Sequence, residues 1–307
     1  MSAELGKRIL KGDVRAAAML MSWIEDGDPK ATGILKKLYR YTDRAHVIGV
    51  TGAVGTGKSS LIDRMIAEYR RRGRTVGVLA VDPSSVFSGG ALLGDRVRMR
   101  EHFVDDKVFV RSFATRGATG GLSRAIRQAI HVLDSMGKEA IFVETIGAGQ
   151  DELDIAALAH TVVVVLIPEM GDEVQAMKAG LAEIADIFVI NKADLPGADA
   201  TVQQLKALLG DERVSIISTS ALRNEGIQSL VDSIRRHRAM SLRNGNHQRK
   251  RLRLCREELL SLLHARLIAE LEKKISGAAL DKQIKLIANR QIDPYSALDK
   301  LVKQLGL

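Results

Sequence analysis

An α/β fold with a mostly parallel central sheet covered by helices, and with helical extensions at both ends, is what the sequence predicts. Three observations predict it. Short apolar, largely β-branched runs recur at 46–51, 75–81, 108–112, 140–144, 161–167, 187–190 and 214–217, and stretches long enough for helices lie between most of them. Continuous apolar strands alternating with helices belong to a sheet buried on both faces. The polar motifs fall directly after the apolar runs, and ligands of such sheets bind beyond the carboxyl ends of the strands.

Residues 1–45 read as a helical extension. Leu5, Ile9, Leu10, Ala17, Leu20 and Met21 recur with helical spacing. Gly12-Asp13 predicts a break in which Asp13 caps the next helix, and Gly27-Asp28-Pro29 a second break before a helix over about 29–40. Trp23 fits a core position better than a ligand contact, and the segment carries no catalytic constellation.

The first apolar run passes into Gly52-Ala53-Val54-Gly55-Thr56-Gly57-Lys58-Ser59 and then Ser60, which satisfies G-x-x-x-x-G-K-[ST]. Its glycines let backbone N–H groups converge on an anion, which the following helix N-terminus also favours. Lys58 can then reach the β and γ phosphates, and the Ser59 hydroxyl can sit on Mg2+. A glycine-rich turn with a surface lysine is the bland alternative, but strand, loop and helix occur here in the required order.

Acids follow at later strand ends. Asp82, before Pro83, can accept a magnesium-bound water or orient an attacking water, or it can simply cap the turn. Asp95, after the Ser/Gly-rich stretch, divides evenly between a metal or switch contact and capping. Arg116 in Thr115-Arg116-Gly117 can stabilise charge, although a surface role is the default. Glu144 ends the fourth run and Gly147 follows three residues later, the D-x-x-G logic of nucleotide switches with glutamate in place of aspartate. The extra methylene favours action on Mg2+ through water, while Gly147 can offer its N–H to the γ phosphate.

Asn191-Lys192-Ala193-Asp194 follows the sixth run and has the N-K-x-D form of a guanine reader. The Asp194 carboxylate can accept from guanine N1–H and the exocyclic amine, a donor pair that adenine lacks. Lys192 can pack along the purine, and Asn191 can tie the loops together. Ser220-Ala221-Leu222, after the last run, supplies the usual backbone N–H for guanine O6. Phosphate loop, acid-x-x-Gly, N-K-x-D and S-A-L in this order specify a GTP/GDP site with Mg2+. Lys58, Asp82 and Glu144 are its candidate catalytic groups; Ser59, Asp82, Asp95 and Glu144 are its candidate metal ligands. Ala148 stands where many small GTPases place a water-positioning glutamine, and Gln150 lies two residues further on. Slow intrinsic hydrolysis, stimulated by a partner, is the expectation.

Three segments are expected: a helical extension over 1–45, a nucleotide domain over 46–242 and a helical arm over 243–307. A helix should run from about Gly226 to Met240, with a break at Asn244-Gly245-Asn246 and a long helix over 247–274. Leu252, Leu259, Leu260, Leu263, Leu267, Ile268 and Leu271 give that helix an apolar stripe that can pack against its own domain or a second subunit, the homodimer being favoured, and Ser276-Gly277 should end it. Cys255 and His264 read as ordinary helix residues.

Composition bounds the function. The formal charge is +9, much of it between Arg235 and Arg256, yet aromatics make up only 4% of the 307 residues, little material for stacking on bases. Nucleic-acid binding is therefore not expected as the main function. The strongest apolar run, 162–167, is far too short to span a membrane. The start lacks the apolar core of a signal peptide, and a single cysteine suits a reducing compartment, so a cytoplasmic location is expected.

Taken together, the chain resembles the MeaB/ArgK family of P-loop GTPases, chaperones of cobalamin-dependent acyl-CoA mutases. The resemblance rests on VDPSS at 81–85, SGGALLGDRVRM at 88–99, TRG at 115–117 and ETIGAGQDE at 144–152. It continues through GDEVQAMKAG at 171–180, NKAD at 191–194 and TSAL at 219–222. One departure is Val54, where the family loop commonly has proline. The resemblance implies a homodimer joined largely through C-terminal helices. Its client would be methylmalonyl-CoA mutase or a related mutase, whose adenosylcobalamin, carried on the partner, is loaded or rescued under control of GTP. It also implies that Lys58 and Ser59 hold phosphates and Mg2+, that Asp82, Asp95 and Glu144 serve the metal and switch region, and that Asn191 and Asp194 read guanine. A maturation factor for another metalloenzyme is the nearest alternative, although no histidine-rich or paired-cysteine segment supports it. A GTP-dependent nucleic-acid or structural module is the second.

Overall fold

The computed structural model of the chain describes residues 2–82, 102, 104–114, 121–145, 158–168, 181–209, 214–275 and 277–304. Packing divides the chain into two units, 1–251 and 252–307.

The first unit is built on a sheet of seven described strands: β1 (His46–Thr51), β2 (Val76–Asp82), β3 (Val108–Ala114), β4 (Ala140–Glu144), β5 (Thr161–Leu166), β6 (Ile187–Ile190) and β7 (Ser215–Ser218). Their order is β3-β2-β4-β1-β5-β6-β7, and every described pair is parallel. Every residue of β1, β4, β5 and β6 is buried, which is why these strands read as continuous apolar runs. Edge strand β7 has no fully buried residue. The strand ends differ slightly from the sequence expectation. The ladder to β3 carries β2 on to Asp82, paired with Ala114, and pairing with Ile190 draws Ser218 into β7.

Helices cover both faces. Up to Arg243 the described α-helices of this unit are, in sequence order, α1 (Ser2–Leu10), α2 (Val14–Glu25), α3 (Pro29–Leu38), α4 (Lys58–Arg71), α5 (Gly121–Ser135), α6 (Leu181–Ile184), α7 (Ala198–Leu209) and α8 (Ile227–Arg243). On one face, Leu61, Ile62, Met65 and Ile66 of α4 pack with Leu230, Val231 and Ile234 of α8 over Ile48, Val50 and Phe142. On the other, α1 to α3 join α5 and α7 over Leu79, Ile141, Val143 and Phe188. Burying each such side chain contributes about 1.5–3 kcal/mol.

The amino-terminal helices thus share the core of the sheet. The predicted caps are present: Asp13 accepts from Ala16 N–H at 2.9 Å and Asp28 from Lys30 N–H at 2.9 Å. Trp23 is half-buried against the core. The Arg111 guanidinium on β3 donates to Ala18 O at 2.8 Å and pairs with Glu25, fastening α2 to the sheet. Asp134 on α5 accepts from the Asp43 N–H at 2.6 Å and the Ala45 N–H at 3.0 Å, which fixes the chain as it enters β1.

Gly226 caps α8 with φ +73°, and a Cβ there would lie 2.2 Å from Ser218 O. We expect Gly226→Ala to cost about 1–3 kcal/mol from left-handed backbone strain alone, with more from the clash. A lowered urea midpoint at unchanged m-value checks this.

The long helix α9 (Asn246–Lys274) starts one residue earlier than the break at 244–246 predicts, because the left-handed turn sits at Gly245, φ +68°. The second unit comprises α9 from Leu252 onward, α10 (Gly277–Ala288) and α11 (Pro294–Gln304). Ala297 and Leu301 are buried, whereas Leu252, Leu259, Leu263, Leu267 and Ile268 are exposed. Among the described residues no helix is long and apolar enough to cross a membrane.

Candidate functional site

The motif residues collect at the carboxyl ends of β1, β4, β6 and β7. Between Thr51 and Lys58 the loop turns through Gly52 at φ +138°, Gly55 at +85° and Gly57 at +86°. A Cβ on Gly52 would stand 2.2 Å from Val165 O, so the loop leaves β1 hard against the backbone of β5. A Cβ on Gly57 would stand 2.6 Å from Asn191 Nδ2. Glycine is required at Gly52 by a backbone contact as well as by φ, and at Gly57 chiefly by φ.

Lys58 opens α4 and is only 7% exposed; its Nζ curls back to donate to Gly52 O at 2.8 Å and Ala53 O at 3.0 Å. Those carbonyls offset the cost of burying an ammonium group, and phosphate oxygens can take their place. Thr56 is fully buried, its Oγ1 donating to Ala53 O at 2.9 Å, which holds the loop closed. Val54 is 74% exposed at the loop tip, so a side chain other than proline meets no steric objection there. Ser60 faces outward, away from the buried Ser59.

The Ser59 hydroxyl donates to Glu144 Oε1 at 2.6 Å, joining the start of α4 to the end of β4. Both groups are buried. Next to Glu144, Thr145 Oγ1 donates to Thr51 Oγ1 at 3.1 Å and closes the seam between β1 and β4. A hydroxyl and a carboxylate are the oxygen donors that suit Mg2+, which keeps several waters of its own. Asp82 ends β2, two strands from β1 in the sheet order. Its side chain, Asp95, Arg116 and Gly147 lie outside the described residues.

The N-K-x-D and S-A-L loops are tied to the phosphate loop through one side chain. Asn191 Nδ2 donates to Thr56 O at 2.9 Å, while Asn191 Oδ1 accepts from Thr219 Oγ1 and from Ala221 N–H, each at 3.2 Å. Of the S-A-L turn, the Ala221 N–H is thus already engaged by Asn191. Lys192 adopts φ +57° and Ala193 N–H donates to Thr219 O at 2.9 Å, which sets the N-K-x-D turn against the S-A-L turn. A hydrogen bond from Ser220 and the Arg223 guanidinium, 3.9 Å away, hold the Asp194 carboxyl below the usual carboxylate range, leaving it ionised and ready to accept. Leu222 is 83% exposed and forms no part of the buried wall.

Two contributors escape the motif reading. Arg223 stands beside Asp194, and Arg64 on α4 donates to Ala221 O at 3.0 Å, bracing the S-A-L turn from 157 residues away. Nothing in the local sequence marks either. Arg64 is recognisable only once α4 and β7 are known to flank the same site.

Comparison with known proteins agrees with this geometry. The family model described as methylmalonyl Co-A mutase-associated GTPase MeaB matches residues 16–276. A Pyrococcus abyssi protein designated a GTPase is 46% identical over 98% of this chain and 96% of its own length. The GTPase ArgK of Escherichia coli is 30% identical over 76% of this chain and 74% of its own. The crystal structure of a protein titled LAO/AO transport system kinase covers 100% of this chain and 98% of its own, with a TM-score of 0.69 at 24% identity, and so shares the fold. With the phosphate loop in place and the match extending well beyond it, the chain belongs to the MeaB family of GTP-hydrolysing P-loop proteins.

Proposed function

We propose that this GTPase acts as a nucleotide-driven chaperone of a cobalamin-dependent acyl-CoA mutase, gating adenosylcobalamin loading and protecting or rescuing the mutase. The observation that carries the reading is the family match over residues 16–276, which takes in most of helix α2 and all of α9 as well as the nucleotide motifs. A mouse relative named methylmalonic aciduria type A homolog, mitochondrial, 36% identical over 66% of this chain and 52% of its own length, supports the same client class.

In this reading Gly52, Gly55, Thr56, Gly57 and Ser60 shape and line the phosphate loop. Lys58 exchanges its two loop carbonyls for β and γ phosphate oxygens. Ser59 and Glu144, 2.6 Å apart, would hold Mg2+, Glu144 acting through water. Mg2+ supplies neutralisation of charge shared between the β and γ phosphates. Asp82 and Asp95 serve the metal and switch region, and Gly147 offers its N–H to the γ phosphate. Asn191, Lys192 and Asp194, with Ser220, Ala221 and Leu222, form the guanine end. Because Asn191 bridges Thr56 and Ala221, a shift in the phosphate loop is felt directly at the base loops.

The exposed leucines of the second unit support a homodimer through the C-terminal helices. The decisive experiment adds purified acyl-CoA mutases to this protein while following phosphate release and complex mass. Association with one mutase and faster GTP turnover are expected. Neither change with any acyl-CoA mutase would overturn the chaperone role and leave the GTPase intact.

A further inference from the structure

At the opposite end of the sheet, where β1 and β4 begin, lies a cavity of about 370 Å3 lined by Tyr69, Arg72, Arg74, Glu139, Arg235 and Arg238, with His46, Ala239 and Leu242 completing its wall. Six residues of β1 separate it from the phosphate loop, about 20 Å at strand rise. Two of its four guanidinium groups are neutralised. Arg74 pairs with Glu139, and Arg72 lies between Glu68, at 2.6 Å, and Asp232, at 2.5 Å.

The other two make no close ion pair, and Arg238 feels Asp134 and Glu139 only from a longer range. Arg238 is half-buried and donates to the neutral carbonyl of Arg44 at 2.8 Å, and burial pushes its pKa below the ordinary arginine value. Arg235 is exposed on the same helix, α8, and neither residue forms an ion pair with a described carboxylate. The third feature is Tyr69. It is 5% exposed, packs edge-on to Phe142 at 5.6 Å, and its hydroxyl is buried without a hydrogen-bond partner. Burial pushes its pKa up to about 12, so the group is a donor at every physiological pH. A buried donor left unmade costs free energy that an incoming acceptor would recover.

We propose that this cavity is a second anion site, separate from the nucleotide seat, which takes a phosphate group through Arg235, Arg238 and the Tyr69 hydroxyl. Two planar guanidinium forks and a phenol offer more N–H and O–H donors than a two-oxygen carboxylate can accept, and a tetrahedral phosphate matches them. Neither the mutase partnership nor the guanine reader is assumed.

The test uses the full chain saturated with a non-hydrolysable GTP analogue, so that the phosphate loop is filled. Inorganic phosphate, ethyl phosphate and acetate are titrated by calorimetry and by thermal shift. Saturable phosphate uptake is expected, with acetate weaker. A preference for ethyl phosphate over inorganic phosphate would identify an esterified group, and the reverse a free one, either supporting the site. Arg235→Ala, at an exposed position, should weaken phosphate binding about tenfold. Tyr69→Phe should weaken it several-fold while raising the ligand-free melting temperature, a pair of opposite effects that a purely structural tyrosine would not produce. Absence of saturable phosphate uptake, or uptake unchanged in both variants, would overturn the proposal.

Discussion

Lys58→Ala is expected to lower GTP turnover per bound nucleotide by about a hundred- to a thousandfold, the range found when one preorganised donor to developing phosphate or oxyanion charge is removed. Triphosphate affinity should fall with it. The Lys58 ammonium is buried and held by Gly52 O and Ala53 O at 2.8 and 3.0 Å, so it already stands within the phosphate loop and has only to exchange these acceptors for phosphate oxygens. Alanine leaves these two carbonyls at the mouth of the loop with no cation to balance them. The fold should survive, since Lys58 occupies the first turn of α4 and the apolar contacts of that helix come from Leu61, Ile62, Met65 and Ile66. Fluorescent GTP titration and phosphate release, beside an unchanged melting curve in the absence of nucleotide, check the prediction. Full turnover in the variant would remove Lys58 from the catalytic groups.

The parts of this site that could be read in advance are those whose physics is local. The phosphate loop is a strand, a glycine turn and a helix start contained in one stretch, and its glycine requirement comes from backbone angles that sequence reports directly. The strands were legible because burial on both faces forces unbroken apolar runs, as in β1, β4, β5 and β6. Contacts that depend on which elements meet were not legible. Arg64 bracing Ala221 joins residues 157 apart, and Asp134 holding the Asp43 and Ala45 N–H groups joins residues about 90 apart. The basic density after Arg235 reads in sequence as solvated surface or a partner contact, yet the fold gives its members different surroundings. Arg238 is drawn half inside against Arg44, and Arg251 pairs with Asp43 at 2.9 Å, while Arg235 is left at the cavity mouth. Charge counts carry no information on that sorting, because it is set by the helix face on which each residue falls.

Asp194→Asn is expected to exchange the base preference of the protein from guanine to xanthine. The ionised Asp194 carboxylate offers acceptors to both N1–H and the exocyclic amine of guanine. An asparagine amide keeps one acceptor and turns the second into a donor, which opposes the guanine amine but meets the carbonyl that xanthine carries at the same ring position. Each charge-assisted bond accounts for about one to two orders of magnitude, so GTP affinity should drop about 10²- to 10⁴-fold and XTP become the better ligand. The surroundings permit the exchange. Ser220 can donate to an amide oxygen as it does to the carboxylate, and Arg223, 3.9 Å away and largely exposed, loses only a loose ion pair. The bridge from Asn191 to Thr56 is untouched, so hydrolysis of bound XTP should proceed at the wild-type rate for GTP. That last comparison separates base reading from chemistry: if Asp194 only braced the loop, the variant would lose turnover with both nucleotides and gain nothing for xanthine.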